Sequence, residues 1–172
     1  VIGSENVLIA AFSDFWSRLA EEFGDNQRVV FGLMNEPHDI QATTWLAAAN
    51  AAISAIRKTG AENLILVPGV NWTSSFSWNQ DYGYGVNADV MTGVVDPLDR
   101  FAVEVHLYFD ADNSGTTSEV VGPTIGRERL TNFVSWCRNN GIPGFLGEVG
   151  APATDAGAAV LVDTLDYIET EA

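Results

Sequence analysis

The sequence predicts an α/β fold of parallel βα units, on three observations. Apolar stripes at helical spacing alternate with short, nearly apolar strand runs; glycines or a Pro-Gly pair close most of these elements; and polar, ionisable residues gather where the strands end. A doubly wound sheet and a (β/α)8 barrel both satisfy that alternation. Four units make only half a barrel, because the complete fold usually needs about 250 residues, and the chain has 172.

Taken in order, Phe12, Phe15, Trp16, Leu19 and Phe23 recur every three or four residues, which predicts a helix with an inward apolar stripe that Gly24 stops. Residues 28–34, branched and aromatic, read as a short buried strand. Thr43 or Thr44 is expected to cap a helix whose apolar face carries Trp45, Ala49, Ile53 and Ile56 and which Gly60 ends. A second strand, residues 64–67, is broken by Pro68-Gly69. A long polar stretch over 71–99 leads to a third strand over 101–108. After a loop from 110 to 126, residues 127–139 are helical and Gly141 marks the exit. Residues 145–147 give a fourth strand, and 155–170 a last helix with Leu161, Leu165 and Ile168 on one side. No internal repeat or low-complexity linker interrupts the order.

Composition narrows the partners. The chain is 47% hydrophobic and 18% charged, as ordinary globular proteins are. Its formal charge is −15 and Lys58 is its only lysine. Such a field repels phosphate backbones and anionic lipid, so neither nucleic acid nor a membrane surface is an expected partner, whereas a neutral polymer feels no penalty. No apolar run approaches the roughly 18 residues of a membrane helix. The opening Val1-Ile2-Gly3-Ser4 has no Met and no signal-peptide pattern, so residues 1–172 are expected to be a single catalytic domain truncated at both ends. Cys137, the single cysteine, shares a helical stripe with Leu130, Phe133 and Val134 and is read as core packing.

The first strand runs into Asn35-Glu36-Pro37-His38, the third ends in Glu104-Val105-His106-Leu107-Tyr108, and the fourth in Gly147-Glu148-Val149-Gly150. Carboxyl ends of strands are where α/β active sites are built. Two carboxylates at two such ends suit glycoside hydrolysis, in which one carboxylic acid protonates the leaving oxygen and an ionised partner attacks the anomeric carbon. Alternation along the third strand sets Glu104, His106 and Tyr108 on one face and Val103, Val105 and Leu107 on the other.

The ordered set Phe31-Gly32-Leu33-Met34-Asn35-Glu36-Pro37-His38-Asp39, His106-x-Tyr108 and Phe145-Leu146-Gly147-Glu148 resembles the family 5 glycoside hydrolases, within them the endoglucanase (cellulase) subgroup shared by fungi and bacteria. The likeness runs over nearly the whole chain. It implies a (β/α)8 TIM barrel of which the chain covers about four central-to-late βα units, the fourth to seventh. It implies that Glu36 is the acid/base and Glu148 the nucleophile of a retaining β-1,4-glucanase. It further implies that Asn35 hydrogen-bonds the 2-hydroxyl of the sugar being cleaved, that His106 lines that subsite, that Tyr108 hydrogen-bonds Glu148, and that His38 contacts substrate. The implied substrate is a β-1,4-linked glucan, the implied location extracellular, and no cofactor or metal is called for. Two alternatives stay open: a member acting on mannan or another β-glycan, and a binding homologue that keeps the groove without turnover.

Trp72 and Trp78 share the loop after the second strand. A tryptophan face suits the apolar face of a glucose ring, and equally packs against a barrel wall; Trp72 matches the family's loop and is the expected stacking residue. Glu104, deeper than His106, is a rival acid or an internal hydrogen-bond acceptor. Asp110-Ala111-Asp112-Asn113-Ser114-Gly115 starts like a calcium loop, but its twelfth position is Val121 where such a loop needs a bidentate Glu, so an active-site loop is expected there. GxSxG, HExxH, P-loop and GxGxxG patterns are all absent, leaving serine hydrolase, zinc protease and nucleotide chemistry without support.

Overall fold

The computed structural model describes residues 1–171. Helix α1 spans Ile9–Phe23, strand β1 Phe31–Gly32, α2 Ala42–Lys58, β2 Ile65–Pro68, the short α3 Asn87–Val90 with a 3-10 turn at Met91–Gly93, β3 Phe101–Tyr108, α4 Ile125–Asn140, β4 Gly144–Gly150 and α5 Asp155–Glu171. The strands form one parallel sheet in the order β1-β2-β3-β4. Sequential βα units laid side by side in this way are half of a (β/α)8 barrel. None of the described helices is long and apolar enough to cross a membrane.

The core lies between sheet and helices. Val103, Val105 and Leu107 are fully buried on the helix-facing side of β3, against Leu130, Phe133 and Trp136 of α4 and Ile65 and Val67 of β2. Trp45 on α2 is also fully buried, and its indole N–H donates to the Pro68 carbonyl at 2.6 Å, tying α2 to the end of β2. Arg57 near the end of α2 holds Asp96 through two bonds of 2.8 Å, both side chains buried, just before β3 begins. Cys137 packs against the same core, and burial pushes its thiol pKa up to about 11.

Several local expectations are corrected. The first strand pairs over only Phe31–Gly32, because it is an outer strand whose single partner, β2, is itself four residues long. Neither Thr43 nor Thr44 caps α2: the helix starts at Ala42, whose N–H donates to the Tyr84 carbonyl at 2.7 Å, so a distant loop replaces the side-chain cap. Gly24 ends α1 with an ordinary right-handed φ of −63°. Its role is room, since a Cβ there would sit 2.5 Å from the Ala20 carbonyl and 2.8 Å from Ala61 Cβ. Phe15 and Phe23 flank the contact with α2 and stay exposed, while Phe12, Trp16 and Ala20, spaced by four, carry it. On α5, Leu161 and Ile168 pack on the core, but Leu165 faces out.

Candidate active site

The centre of the site is β3. Glu104 and Tyr108 are half-buried and His106 is buried, all on the face opposite the core valines. Its neighbour β4 pairs in register from Val103↔Gly144 to Val105↔Leu146, then skips Gly147 and resumes at His106↔Glu148. The skipped residue is a β-bulge, and it decides where Glu148 points. Were Gly147 paired with His106 in regular register, Glu148 would sit opposite Leu107 and turn toward the helices; because Gly147 is skipped, Glu148 shares the face of His106. Gly147 suits the position because any Cβ there would lie 1.9 Å from Glu104 Oε1.

Glu36 reaches the same point from the loop after β1. Its backbone is left-handed, with φ of 44°, an uncommon state for a residue with a side chain. Glu36 Oε1 lies 2.8 Å from His106 Nδ1, and Glu148 Oε2 lies 3.7 Å from the same nitrogen. Donor atoms of Glu36, His106 and Glu148 all fall within 4.8 Å of one another, and among the described residues this is the group of side chains that could share a metal ion. On the far side of the ring, Nε2 is 3.5 Å from Glu104 Oε1. Burial opposes charging of His106, yet hydrogen bonds to Glu104 and Glu36 and the nearby charge of Glu148 outweigh it and raise the imidazole pKa above its ordinary value.

The loop after β2 supplies the wall. Asn71, Trp72 and Thr73 are three successive left-handed residues, with φ of 58°, 56° and 48°. The turn is held because Thr73 Oγ1 accepts the Gly69 N–H at 2.8 Å and donates to the Glu104 carbonyl at 2.5 Å. The chain then runs along β3, with Thr73 O accepting from His106 N and Ser75 N donating to His106 O. This path leaves the Trp72 indole 51% exposed beside Glu36. His38 stacks on it, ring centroids 5.1 Å apart and planes 7° from parallel. His38 Nδ1 is 2.8 Å from Asp39 Oδ2, and the Tyr84 hydroxyl donates to Asp39 Oδ1 at 2.7 Å. The Tyr84 hydroxyl and His38 hold the Asp39 carboxyl below its ordinary pKa.

The structure thus brings Glu36, His106 and Glu148 together, with Trp72 and His38 at their edge. Asn35 is exposed, and its amide makes no hydrogen bond among the described residues. Tyr108 departs from expectation. Its ring lies against Gly115 and Gly150, its register partner, and its hydroxyl makes no hydrogen bond to Glu148 among the described residues. Trp78 is fully buried, edge-on to Phe133 at 4.9 Å and Trp136 at 5.1 Å, so of the two loop tryptophans it is the packing residue. The acidic 110–115 segment is closed on itself: Asp110 accepts from Gly115 N, Thr117 N and Ser114 Oγ at 3.1–3.2 Å. Beyond it, Asn113, Ser114 and Tyr108 join Trp72, Phe76 and Tyr82 around a cleft of about 580 Å³ that Glu36 borders. Sequence reasoning missed Phe76, Tyr82 and Arg129, which lie in or beneath this cleft. The cluster of aromatic residues in an otherwise polar loop was the available signal.

A family model described as cellulase (glycosyl hydrolase family 5) matches residues 2–171. The chain belongs to glycosyl hydrolase family 5. Among curated relatives, it is 37% identical to endoglucanase 1 of Robillarda sp. (strain Y-20) over 176 residues, covering 100% of this chain and 45% of that protein. It is 38% identical to endo-beta-1,4-glucanase A of Emericella nidulans over 159 residues, covering 92% and 47%. Among solved structures, the endo-beta-1,4-glucanase Xac0029 of Xanthomonas axonopodis pv. citri superposes with a TM-score of 0.96 at 47% identity, over 99% of this chain and 54% of that one. XacCel5A, solved in complex with cellopentaose, gives 0.95 at 43% identity, over 98% and 54%. The chain therefore spans about half the length of the relatives it matches, and its four parallel βα units are part of the family 5 (β/α)8 barrel.

Proposed function

We propose that this chain is the part of a secreted, retaining endo-β-1,4-glucanase that carries both catalytic carboxylates, Glu36 as acid/base and Glu148 as nucleophile. One observation carries the reading: carboxylate oxygens of Glu36 and Glu148 lie within 4.8 Å of each other. Carboxyl groups about 5–5.5 Å apart act by double displacement, whereas those about 6.5–9.5 Å apart leave room for the water of an inverting enzyme. The close spacing supports retention. The 43% identical relative solved with cellopentaose and the curated endoglucanases support the substrate class.

In the first step a Glu148 oxygen forms a bond to the anomeric carbon as the glycosidic C–O bond breaks, and the Glu36 carboxylic acid gives its proton to the departing oxygen. In the second step Glu36, now a carboxylate, takes a proton from water. That water oxygen attacks the anomeric carbon and releases Glu148. His106, 2.8 Å from Glu36 Oε1 and backed by Glu104, holds the Glu36 carboxyl in line. Trp72 offers an exposed indole for a sugar ring, Asn35 an amide for the 2-hydroxyl, Tyr108 lines the same cleft as Trp72, and His38 stacks on the Trp72 ring. No cofactor is needed for either step.

The test is Glu148→Gly in a barrel of the relatives' full length that carries this chain. Hydrolysis of an aryl cellobioside should fall nearly to background. Added azide should restore aglycone release, giving a glycosyl azide of inverted anomeric configuration because the small anion enters the vacated face. Unchanged turnover in the variant would remove Glu148 from the reaction.

A further inference from the structure

Arg129 is a charged side chain buried to 95%, 5% of it exposed, and it makes no salt bridge among the described residues. Burial presses its pKa down, while the charges of Asp110, Asp112 and Glu128 act against that. A buried guanidinium is costly to desolvate, so what it binds in exchange matters. It binds backbone. Nη1 donates to the Tyr108 carbonyl at 2.6 Å, and Nη2 donates to the carbonyls of Asp110 at 2.7 Å and Ala111 at 3.2 Å. The guanidinium carbon also sits 5.2 Å from the centroid of the Phe76 ring, within cation–π range.

These partners belong to two separate segments. Tyr108 ends β3, and Asp110 and Ala111 start the loop after it; Phe76 is in the loop after β2. A second link runs beside the first: Asn113 Oδ1 accepts from the Tyr108 N–H at 2.8 Å, and Asn113 Nδ2 donates to Ser74 Oγ at 2.8 Å. Both segments line the 580 Å³ cleft, Trp72, Phe76 and Tyr82 from the loop after β2 and Tyr108, Asn113 and Ser114 from the end of β3 and the loop after it. Glu36 borders that cleft and Glu148 does not. Since the acid faces the departing oxygen and the nucleophile the anomeric carbon, a cleft on the acid's side receives the sugars that leave.

We infer that Arg129 is a positioning residue for the leaving-side sugars, clamping the loops after β2 and β3 at the separation at which Phe76 and the Asn113 wall enclose a pyranose. This rests on the acid/base and nucleophile roles assigned above. The planar fork suits the task, because it reaches three carbonyls in fixed directions while presenting its flat face to an aromatic ring; a lysine ammonium cannot do both.

The test compares two substrates in the full-length barrel: an aryl cellobioside, whose phenol departs without placing a sugar in the cleft, and cellopentaose, which fills it. Arg129→Lys and Arg129→Met should lower kcat/KM for cellopentaose by about tenfold or more, mostly through KM, the scale expected when a positioning wall shifts. The loss on the aryl cellobioside should be at least fivefold smaller. Phe76→Ala, at a residue 39% exposed that leaves the buried bonds untouched, should show the same bias and protects the comparison if Arg129 variants do not fold. Combined with Arg129→Met it should add less than the product of the two separate effects. Equal losses on both substrates, or no bias in Phe76→Ala, would overturn the inference. Cellopentaose binding by calorimetry tests the clamp without turnover: unchanged affinity in both variants overturns it. A wild-type barrel that binds cellopentaose in an Arg129-dependent way but cleaves neither substrate would instead sink the catalytic assignment and leave the clamp standing.

Discussion

Replacing Asp96 with alanine should destabilise the barrel far more than its place in a surface-connecting turn suggests. Arg57 reaches Asp96 with Nε and Nη2, both at 2.8 Å, and the two side chains are 5% and 0% exposed. The same carboxylate accepts the amides of Leu98 at 3.2 Å and Arg100 at 3.0 Å. Removing it strands a buried guanidinium that keeps only the carbonyls of Ala61 and Arg100. Breaking one side of a buried pair typically costs about 3–5 kcal/mol. Asp96→Asn, which keeps an acceptor oxygen and loses the charge, should cost less, about 1.5–3 kcal/mol. Burial raises the Asp96 pKa, but the bonds from Arg57, Leu98 and Arg100 outweigh it and hold the carboxyl below its ordinary value. A depressed folded pKa means that the stabilisation is complete above the unfolded value of about 3.9 and fades as pH falls through the folded one. Guanidinium unfolding of wild type and variant at pH 7 and at successively lower pH is the assay, and the gap should narrow below about pH 4. Turnover well below the melting temperature should change little, because Asp96 precedes β3, and a strand rise of about 17 Å separates Phe101, where β3 begins, from His106. A gap under about 1 kcal/mol at pH 7, the worth of an exposed pair, or one that ignores pH, would refute the argument.

Three further outcomes are expected. Trp72→Ala should weaken oligosaccharide binding by calorimetry about tenfold, since covering some 60 Å² of the indole is worth roughly 1.5 kcal/mol, while melting shifts little because the ring is half exposed. His106→Gln should remove a pH-dependent part of stability. The imidazole's raised pKa makes its contribution full below about pH 6.5 and lost as pH rises through the folded value, so the wild-type advantage in denaturant midpoint should shrink toward alkaline pH. Gly147→Ala should cost about 1–3 kcal/mol by overpacking and displace Glu104 from His106, read as a downward move of the His106 titration by NMR.

What the sequence makes legible is whatever depends on local pattern. The third strand is legible over its full length, Phe101–Tyr108, because Val103, Val105 and Leu107 alternate with Glu104 and His106 without interruption. That Glu36, His106 and Glu148 stand at or just past the carboxyl ends of strands is legible too, although the face Glu148 takes is not. What stays hidden depends on partners distant in the chain. Ala42 is capped by Tyr84, 42 residues on, and no spacing rule points there. Trp72 and Trp78 share one loop and one composition, yet one is half exposed and the other fully buried, because the left-handed turn at Asn71–Thr73 tips the first outward and α4 receives the second. Arg129 reads like any charge on a helix, since its value lies in carbonyls that a sequence does not locate.

The deepest of these hidden features is the bulge at Gly147, because simple alternation gives the wrong face for the proposed nucleophile. Leu146 pairs with Val105 on the helix-facing side of the sheet. Two residues on, a regular strand would send Glu148 to that side as well, next to Leu107 and away from Glu36. The extra residue returns it to His106, and Val149 then takes the place opposite Leu107. A trace of this is present in the sequence: the two apolar residues that face the helices, Leu146 and Val149, are three apart where an unbroken strand would space them by two, and a glycine lies between them. The glycine also explains why Glu104 can be there at all. A side chain at position 147 would occupy the space in which Glu104 approaches His106. One residue without a Cβ thus sets the direction of Glu148, makes room for Glu104 behind His106, and through His106 Nδ1 fixes the carboxyl of Glu36. A variant that forces regular pairing while keeping a residue at 147, so that position 147 lies opposite His106 and Glu148 opposite Leu107, should therefore lose activity even if the sheet forms, because Glu148 would then point into the hydrophobic layer.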